Sequence, residues 1–189
     1  MPHRWHGPAN FLADVLPVTH ALISQGSVSF DDETSMSLVG FDLAMEHAVP
    51  VPLPNTRTTV KVACLAAIVV LKIVAWNDRP SRTKDLSDLA TILKDALDED
   101  DERRWDEPLR SIQFDEQSAF FVGLEVAAIM RNSHRKVVDG FVQTLLDESG
   151  TVAAQMARAA GMRSGDADER VQRMVRAFER GVAGVTSPP

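Results

Sequence analysis

The sequence contains no tyrosine and a single cysteine, Cys64, in 189 residues. One cysteine excludes an intramolecular disulfide framework and any cysteine-built zinc site, and it points to a reducing, cytoplasmic setting. Long hydrophobic runs are missing as well. The most apolar stretch, Val62–Trp76, is interrupted by Lys72 and is shorter than the ~20 residues a bilayer-spanning helix needs, so it reads as a core helix and no membrane partner is expected. Met1–Asn10 holds Pro2, His3, Arg4, Trp5 and His6, with no apolar segment of the kind a secretory leader requires. A surplus of positive charge is also lacking. Against 27 Asp+Glu stand 20 Lys+Arg, a formal net charge of −7 and an isoelectric point of about 5.2. That balance argues against a nucleic-acid coat, which binds by neutralising phosphates.

Apolar residues, at 44%, suffice for a real core in one domain, or in one domain with a helical appendage. The first third reads as extended segments. Gly7-Pro8 is a turn signal between His3–His6 and Asn10–Leu16, and Phe11–Leu16 is apolar on both sides of Asp14, as a central strand would be. Ser27–Phe30 and Ser35–Val39 flank the acidic turn Asp31-Asp32-Glu33. Phe41–His47 reads as a short helix, Val49–Leu53 with its prolines as an edge strand, and Thr58–Val62 as a β-branched strand. Helical periodicity then takes over. Cys64–Asn77 is apolar nearly all round, the pattern of a buried helix. Thr83 is a candidate N-cap for Lys84–Leu97, whose Leu86, Leu89, Ala90, Leu93 and Leu97 form one stripe. An acidic stretch, 98–102, precedes helices expected over Glu116–Met130, His134–Leu146, Thr151–Ala160 and Asp168–Val182.

Three groups of residues could carry chemistry. Asp14 is a lone carboxylate in an apolar strand, and is either solvated off an edge or paired, protonated or metal-bound. Lys72 is the one charge in its helix. It either snorkels to the surface along its stem or reaches a buried anion such as a phosphate. Asp85 and Asp88, at i, i+3 spacing, share a helix face. The helix dipole already favours them there, yet Arg79, Arg82 and Lys84 crowd the same junction. A buried lysine without a partner would lose its proton, so the ammonium of Lys72 is expected within reach of Asp85 or Asp88. The five histidines form no recognisable site: His20, His47 and His134 are isolated in sequence.

The run Val70-Leu71-Lys72-Ile73-Val74-Ala75-Trp76-Asn77-Asp78-Arg79-Pro80, followed by Lys84-Asp85-Leu86-Ser87-Asp88-Leu89, resembles the second half of AbiEii-type nucleotidyltransferase toxins. Those proteins show a lysine-bearing helix, a short arginine-containing break and a helix beginning lysine/arginine-aspartate-x-x-aspartate-leucine. Phe11–Pro17 is similar to that family's strand bearing the third carboxylate of a polymerase-β-like fold, Gly40–Leu53 to its following segment, and Gly123–Ala127 to a helix in bacterial relatives. The resemblance extends from about Arg4 to Glu148. It implies transfer of a nucleotide from an NTP to a tRNA or protein acceptor with two Mg²⁺ ions, and a cognate antitoxin as partner. Asp14 would face metal and acceptor hydroxyl, and Lys72 would hold a phosphate. Asp85 and Asp88 would fix that lysine or border the base, with Arg79 and Lys84 as further nucleotide contacts. In-line phosphoryl chemistry is mostly positioning and charge neutralisation, which suits these residue types.

The family's glycine-serine loop and first aspartate pair lie upstream of its third carboxylate. Here the thirteen residues before Asp14 contain no acid and one glycine. The expectation is therefore a truncated or degenerate nucleotidyltransferase-like chain. The alternatives are a catalytically inactive nucleotide- or protein-binding module, and an interaction protein whose arginine-bearing last helix docks an acidic partner or buries Arg173 and Arg180 in a homodimer. The fold expected is α+β. A small, mostly antiparallel sheet packs on the buried helix in a partial nucleotidyltransferase-like core over 1–98, with a helical part over 99–185 and a frayed tail over 186–189.

Overall fold

The computed structural model describes residues 4–7, 12–16, 18–30 and 35–184, with the backbone alone for Arg4, Trp5, Leu12 and Asp14. The chain divides into two compact units, 1–38 and 39–189. In the first, β1 (Arg4–His6) and β2 (Leu12–Asp14) pair antiparallel with Arg4 opposite Asp14. A short helix that the sequence pattern does not announce, α1 (His20–Gln25), follows. Thr19 caps it by accepting from the Leu22 amide at 3.3 Å, and Gly26 ends it at φ +80°, a conformation that favours glycine. β3 (Ser27–Ser29) and β4 (Ser35–Ser37) make a second antiparallel pair on either side of the expected acidic turn, which itself lies outside the described residues.

The second unit runs α2 (Phe41–Glu46), β5 (Val49–Pro52), β6 (Thr59–Val62), α3 (Leu65–Asp78), α4 (Thr83–Asp95), α5 (Gln117–Ile129), α6 (Asn132–Leu146), α7 (Thr151–Ala159) and α8 (Ala167–Val182). The protein is α+β, with a helical C-terminal part. Among the described residues the strands form three separate two-stranded antiparallel sheets rather than one. The segment Phe11–Leu16 therefore supplies a strand of a hairpin, not a central strand, with Phe11 outside the described residues. β5 and β6 are exposed along their whole length, and so do not form a layer over α3. Pro50 and Pro52 carry no amide hydrogen, which discourages a further strand at that side.

The core is helical. α3 buries Ala66, Ala67, Val69, Val70, Ile73, Val74 and Trp76, and packs against α2, α4, α5 and α6. Trp76 meets Phe141 of α6 edge-on, with ring centroids 5.5 Å apart. On α4 the expected stripe is the buried one: Leu86, Leu89, Ala90, Leu93 and Leu97 are all covered. Thr83 begins this helix as its first residue instead of capping it. Arg82 takes the cap position and offers no side-chain bond.

The structure places no boundary near residue 98. Arg104, buried, donates to the carbonyls of Leu97 (2.6 Å) and Asp98 (2.7 Å) at the end of α4, and to Phe114 O and Gln117 Oε1 at the start of α5. Both carbonyls lie two to three residues past the last residue of α4, so the cation sits just beyond the negative end of the helix dipole. The same side chain thus ties together the segments that a division at 98/99 would separate. The expected tail 186–189 lies outside the described residues.

α5 and α8 cross at Gly123 and Gly181. A Cβ on Gly123 would stand 2.2 Å from the Phe178 carbonyl oxygen, and one on Gly181 would stand 2.2 Å from that of Phe120. Backbone meets backbone here, so neither helix can yield by rotating a side chain. Gly123→Ala is expected to destabilise the protein by roughly 3 kcal/mol or more. Gly140→Ala, at a helical position with open space around it, should be neutral or stabilising by about 0.5–1 kcal/mol. Urea unfolding of the two variants checks the contrast.

Candidate functional site

The junction between α3 and α4 brings one lysine and two aspartates together. Pro80 disfavours helical geometry at the residue before it, and Arg79 accordingly sits at φ −144°, ψ 74°, ending α3. The chain reverses over 79–82 and α4 starts at Thr83, turning the face that carries Asp85 and Asp88 toward α3. The Lys72 ammonium lies 3.0 Å from Asp85 Oδ1 and also donates to Asp88 Oδ2. This is the pairing that the isolated charge in an apolar helix demands. Arg82 Nε approaches Asp85 Oδ2 at 3.9 Å, too far for a hydrogen bond, and that buried oxygen has no hydrogen-bond partner.

Burial is graded across the trio. The Asp85 side chain is 5% exposed, that of Lys72 27% and that of Asp88 36%. Lys72 therefore neither snorkels free nor disappears. Two of its three N–H donors go to carboxylates, and part of the side chain still faces solvent. Burial works against the ammonium, but hydrogen bonds to Asp88 and Asp85 and the charges of both outweigh it, holding its pKa above the usual 10.5. Arg79 and Lys84 are exposed beside this corner, and neither makes an ion pair among the described residues.

The remaining expected site residue belongs to the other unit. Asp14 is on β2, in the first unit, and its side chain is not among those described. Among the described residues no group of three or more His, Cys, Asp or Glu could hold a metal ion, and Asp85 and Asp88 are engaged by Lys72. The described residues thus do not fit a two-magnesium centre. Arg180, which the interaction reading assigns to a homodimer interface, has a partner within the chain. Its Nη2 donates to Glu116 Oε2 at 2.7 Å, tying α8 to the start of α5. Among the described residues no helix is long and apolar enough to cross a membrane.

One constellation escaped the sequence. His134, buried on α6, has Nε2 at 3.1 Å from Asp42 Oδ1 on α2, and its Nδ1 accepts from the Arg131 amide at 3.4 Å. Arg131 reaches the same Asp42 at 3.2 Å and also binds Glu46. These residues fasten α2 to α6 across about ninety positions, and nothing in local spacing could signal it.

No family model, curated protein or solved structure matches the chain.

Removing the Lys72 ammonium leaves the buried Asp85 carboxyl group without its partner. Lys72→Met is expected to lower stability by about 2–3 kcal/mol at pH 7. A lysine whose folded-state pKa is raised stabilises fully at pH below its unfolded value, near 10.5, and loses that contribution as pH rises through the folded value. The gap between wild type and Lys72→Met should therefore stay constant from pH 7 to about 10 and narrow above it. Urea titrations across that range read it directly.

Proposed function

We propose that the chain is a nucleotidyltransferase-like protein of the AbiEii toxin type, and that the α3–α4 corner receives the phosphates of a nucleoside triphosphate. One observation supports this reading above the rest: Lys72 is held in place by Asp85 and Asp88 while keeping a donor and an exposed flank. The two acids neutralise a charge in an apolar helix, and in doing so they also fix the direction in which its remaining N–H donor points. A lysine that must present one N–H to a phosphate oxygen needs such a fixed direction, because orientation is most of what phosphoryl transfer requires of a protein. Arg79, Arg82 and Lys84 offset the repulsion that the two carboxylates exert on an incoming anion.

In this reading the acceptor hydroxyl of an RNA or protein attacks the α-phosphorus, the α–β phosphoanhydride bond breaks and pyrophosphate leaves. Lys72 orients and neutralises a phosphate and Arg79 and Lys84 add surface contacts; Asp14 is the residue to which the resemblance alone assigns the acceptor hydroxyl. Magnesium is the ion that the resemblance implies, and the described residues do not supply its cage. No step is assigned to it. That same misfit favours a second reading, a catalytically inactive nucleotide-binding module built on the same corner.

The expected result for this polypeptide by itself is nucleotide binding without transfer. With only one charge-assisted contact at its centre, the ATP dissociation constant should be on the order of 1 mM. Lys72→Ala should weaken binding about tenfold, and Arg79→Ala or Lys84→Ala by less. The assay incubates the purified chain with magnesium, each labelled NTP and a mixed tRNA pool, beside an equilibrium binding measurement. Transfer of label to tRNA would overturn the inactive-module reading, and its loss in Asp14→Ala and Lys72→Ala would assign the residues. ATP binding unaffected by Lys72→Ala would remove the corner from the account.

A further inference from the structure

We infer that the opposite end of α4 carries an independent anion site, for a small molecule with a phosphomonoester or pyrophosphate head group. A cleft of about 370 Å³ opens there, bounded by Ala90, Thr91, Lys94 and Asp95 of α4, by the connection 160–164 and by Arg170 of α8. A cavity of about 230 Å³ adjoins it, sharing Lys94, Asp95 and Arg170 and adding Arg173 and Met174. Together they reach the size range of small-molecule pockets. The cleft wall begins at Ala90, but its α4 cation, Lys94, lies six residues beyond Asp88 and ten beyond Lys84, roughly 9–15 Å along the axis, and neither Lys72, Asp85 nor Asp88 lines the cleft.

Its charge is the reverse of the chain's. In a protein of net charge −7, the larger cleft sets Lys94, Arg163 and Arg170 against one acid, Asp95. Lys94 lies 3.1 Å from Asp95, but both are more than half exposed, and such a pair contributes little. Arg163, Arg170 and Arg173 make no ion pair among the described residues. Arg170 and Arg173 are moreover half-buried, whereas Arg57, Arg79 and Arg176, also without an ion pair among the described residues, are exposed. A guanidinium that has lost part of its water needs an acceptor. Arg104 finds carbonyls and Arg180 finds Glu116; Arg170 and Arg173 face the cavities.

Asp166, at the head of α8, is the nearest competitor. Ser164 and the Asp166 backbone amide hold its carboxyl below the usual carboxylate range, with Arg170 and Arg173 as weaker, more distant influences. It does not pair with either arginine. Glu99, Asp115 and Glu116 line the adjoining cavity, which places the anionic end of a ligand on the Arg163–Arg170 side and its uncharged remainder toward Met174. Planar guanidiniums bind phosphate oxygens in pairs, and the hydroxyl oxygens of Thr91, which donates to Ser87 O at 3.0 Å, and of Ser164, which serves Asp166, can still accept from a ligand's own hydroxyls.

The test is an amide-resolved NMR titration of the full chain with pyrophosphate and, separately, with ribose 5-phosphate. Saturable shifts are expected at Lys94 and over 161–167, whereas shifts at 71–73 and 85–88 would report the Lys72 corner. Arg163→Ala, at an exposed residue whose loss does not threaten the fold, should weaken binding about tenfold, and Arg163→Ala with Arg170→Ala by about a hundredfold. Tighter binding of ribose 5-phosphate than of pyrophosphate would identify an organic phosphate as the ligand class, and the opposite order an inorganic one. The inference is overturned if neither probe gives saturable shifts at 161–167. It is equally overturned if Arg163→Ala binds like wild type, or if a short RNA binds these amides more tightly than both probes.

Discussion

A positive charge placed in one of the most apolar helices of the protein sets the terms for its surroundings. α3 buries seven of its fourteen residues and leaves Lys72 half-covered, and an ammonium there costs free energy unless carboxylates meet it. Asp85 and Asp88 meet it from the first turns of α4, where the helix dipole already favours negative charge. One interaction therefore fixes two things. It neutralises Lys72, and it sets the rotation of α4 so that Leu86, Leu89 and Leu93 turn into the core. Because Asp85 is nearly inaccessible, the arrangement tolerates the loss of neither partner.

α4 is held at its other end by the complementary device. There Arg104 takes the carbonyls of Leu97 and Asp98, just past the end of the helix, and through Gln117 and Ser118 joins them to α5. α5 in turn lies backbone to backbone on α8 at Gly123 and Gly181, with the Glu116–Arg180 pair beside that crossing. The chain of constraints runs from the Lys72 corner through α4 and α5 to α8, without a gap near residue 98. The two regions proposed to meet anions lie at opposite ends of the one helix that this chain fixes at both termini.

Much of this could be read in the sequence, and the reasons are local. An apolar run broken by one lysine, a proline-containing break and two acids at i, i+3 spacing define the α3–α4 corner within seventeen residues. The stripe on α4 and the β-hairpin positions follow from periodicity alone. What escaped depends on separation. Asp42 and His134 pair across about ninety residues, Glu116 and Arg180 across more than sixty, and no pattern along the chain couples such positions. α1 is too short for a helical period to register, and the stretch 103–115 hides Arg104 because a buried arginine serving carbonyls looks, in sequence, like any surface arginine. The central strand expected at Phe11–Leu16 fails for a different reason: apolar composition shows that a strand can form but not how many neighbours it has.

The central claim, that the Lys72 ammonium is positioned to meet a triphosphate, is tested most directly by its chemical reactivity. Brief acetylation of the native chain, followed by mass spectrometric quantification at Lys72 and at exposed Lys61 and Lys136, gives its accessibility relative to free lysines. The account predicts slow labelling of Lys72 that saturating ATP slows about tenfold further, with adenosine at the same concentration without effect and Lys61 and Lys136 unchanged. Labelling of Lys72 that is indifferent to ATP, or that ATP and adenosine alter equally, would contradict it.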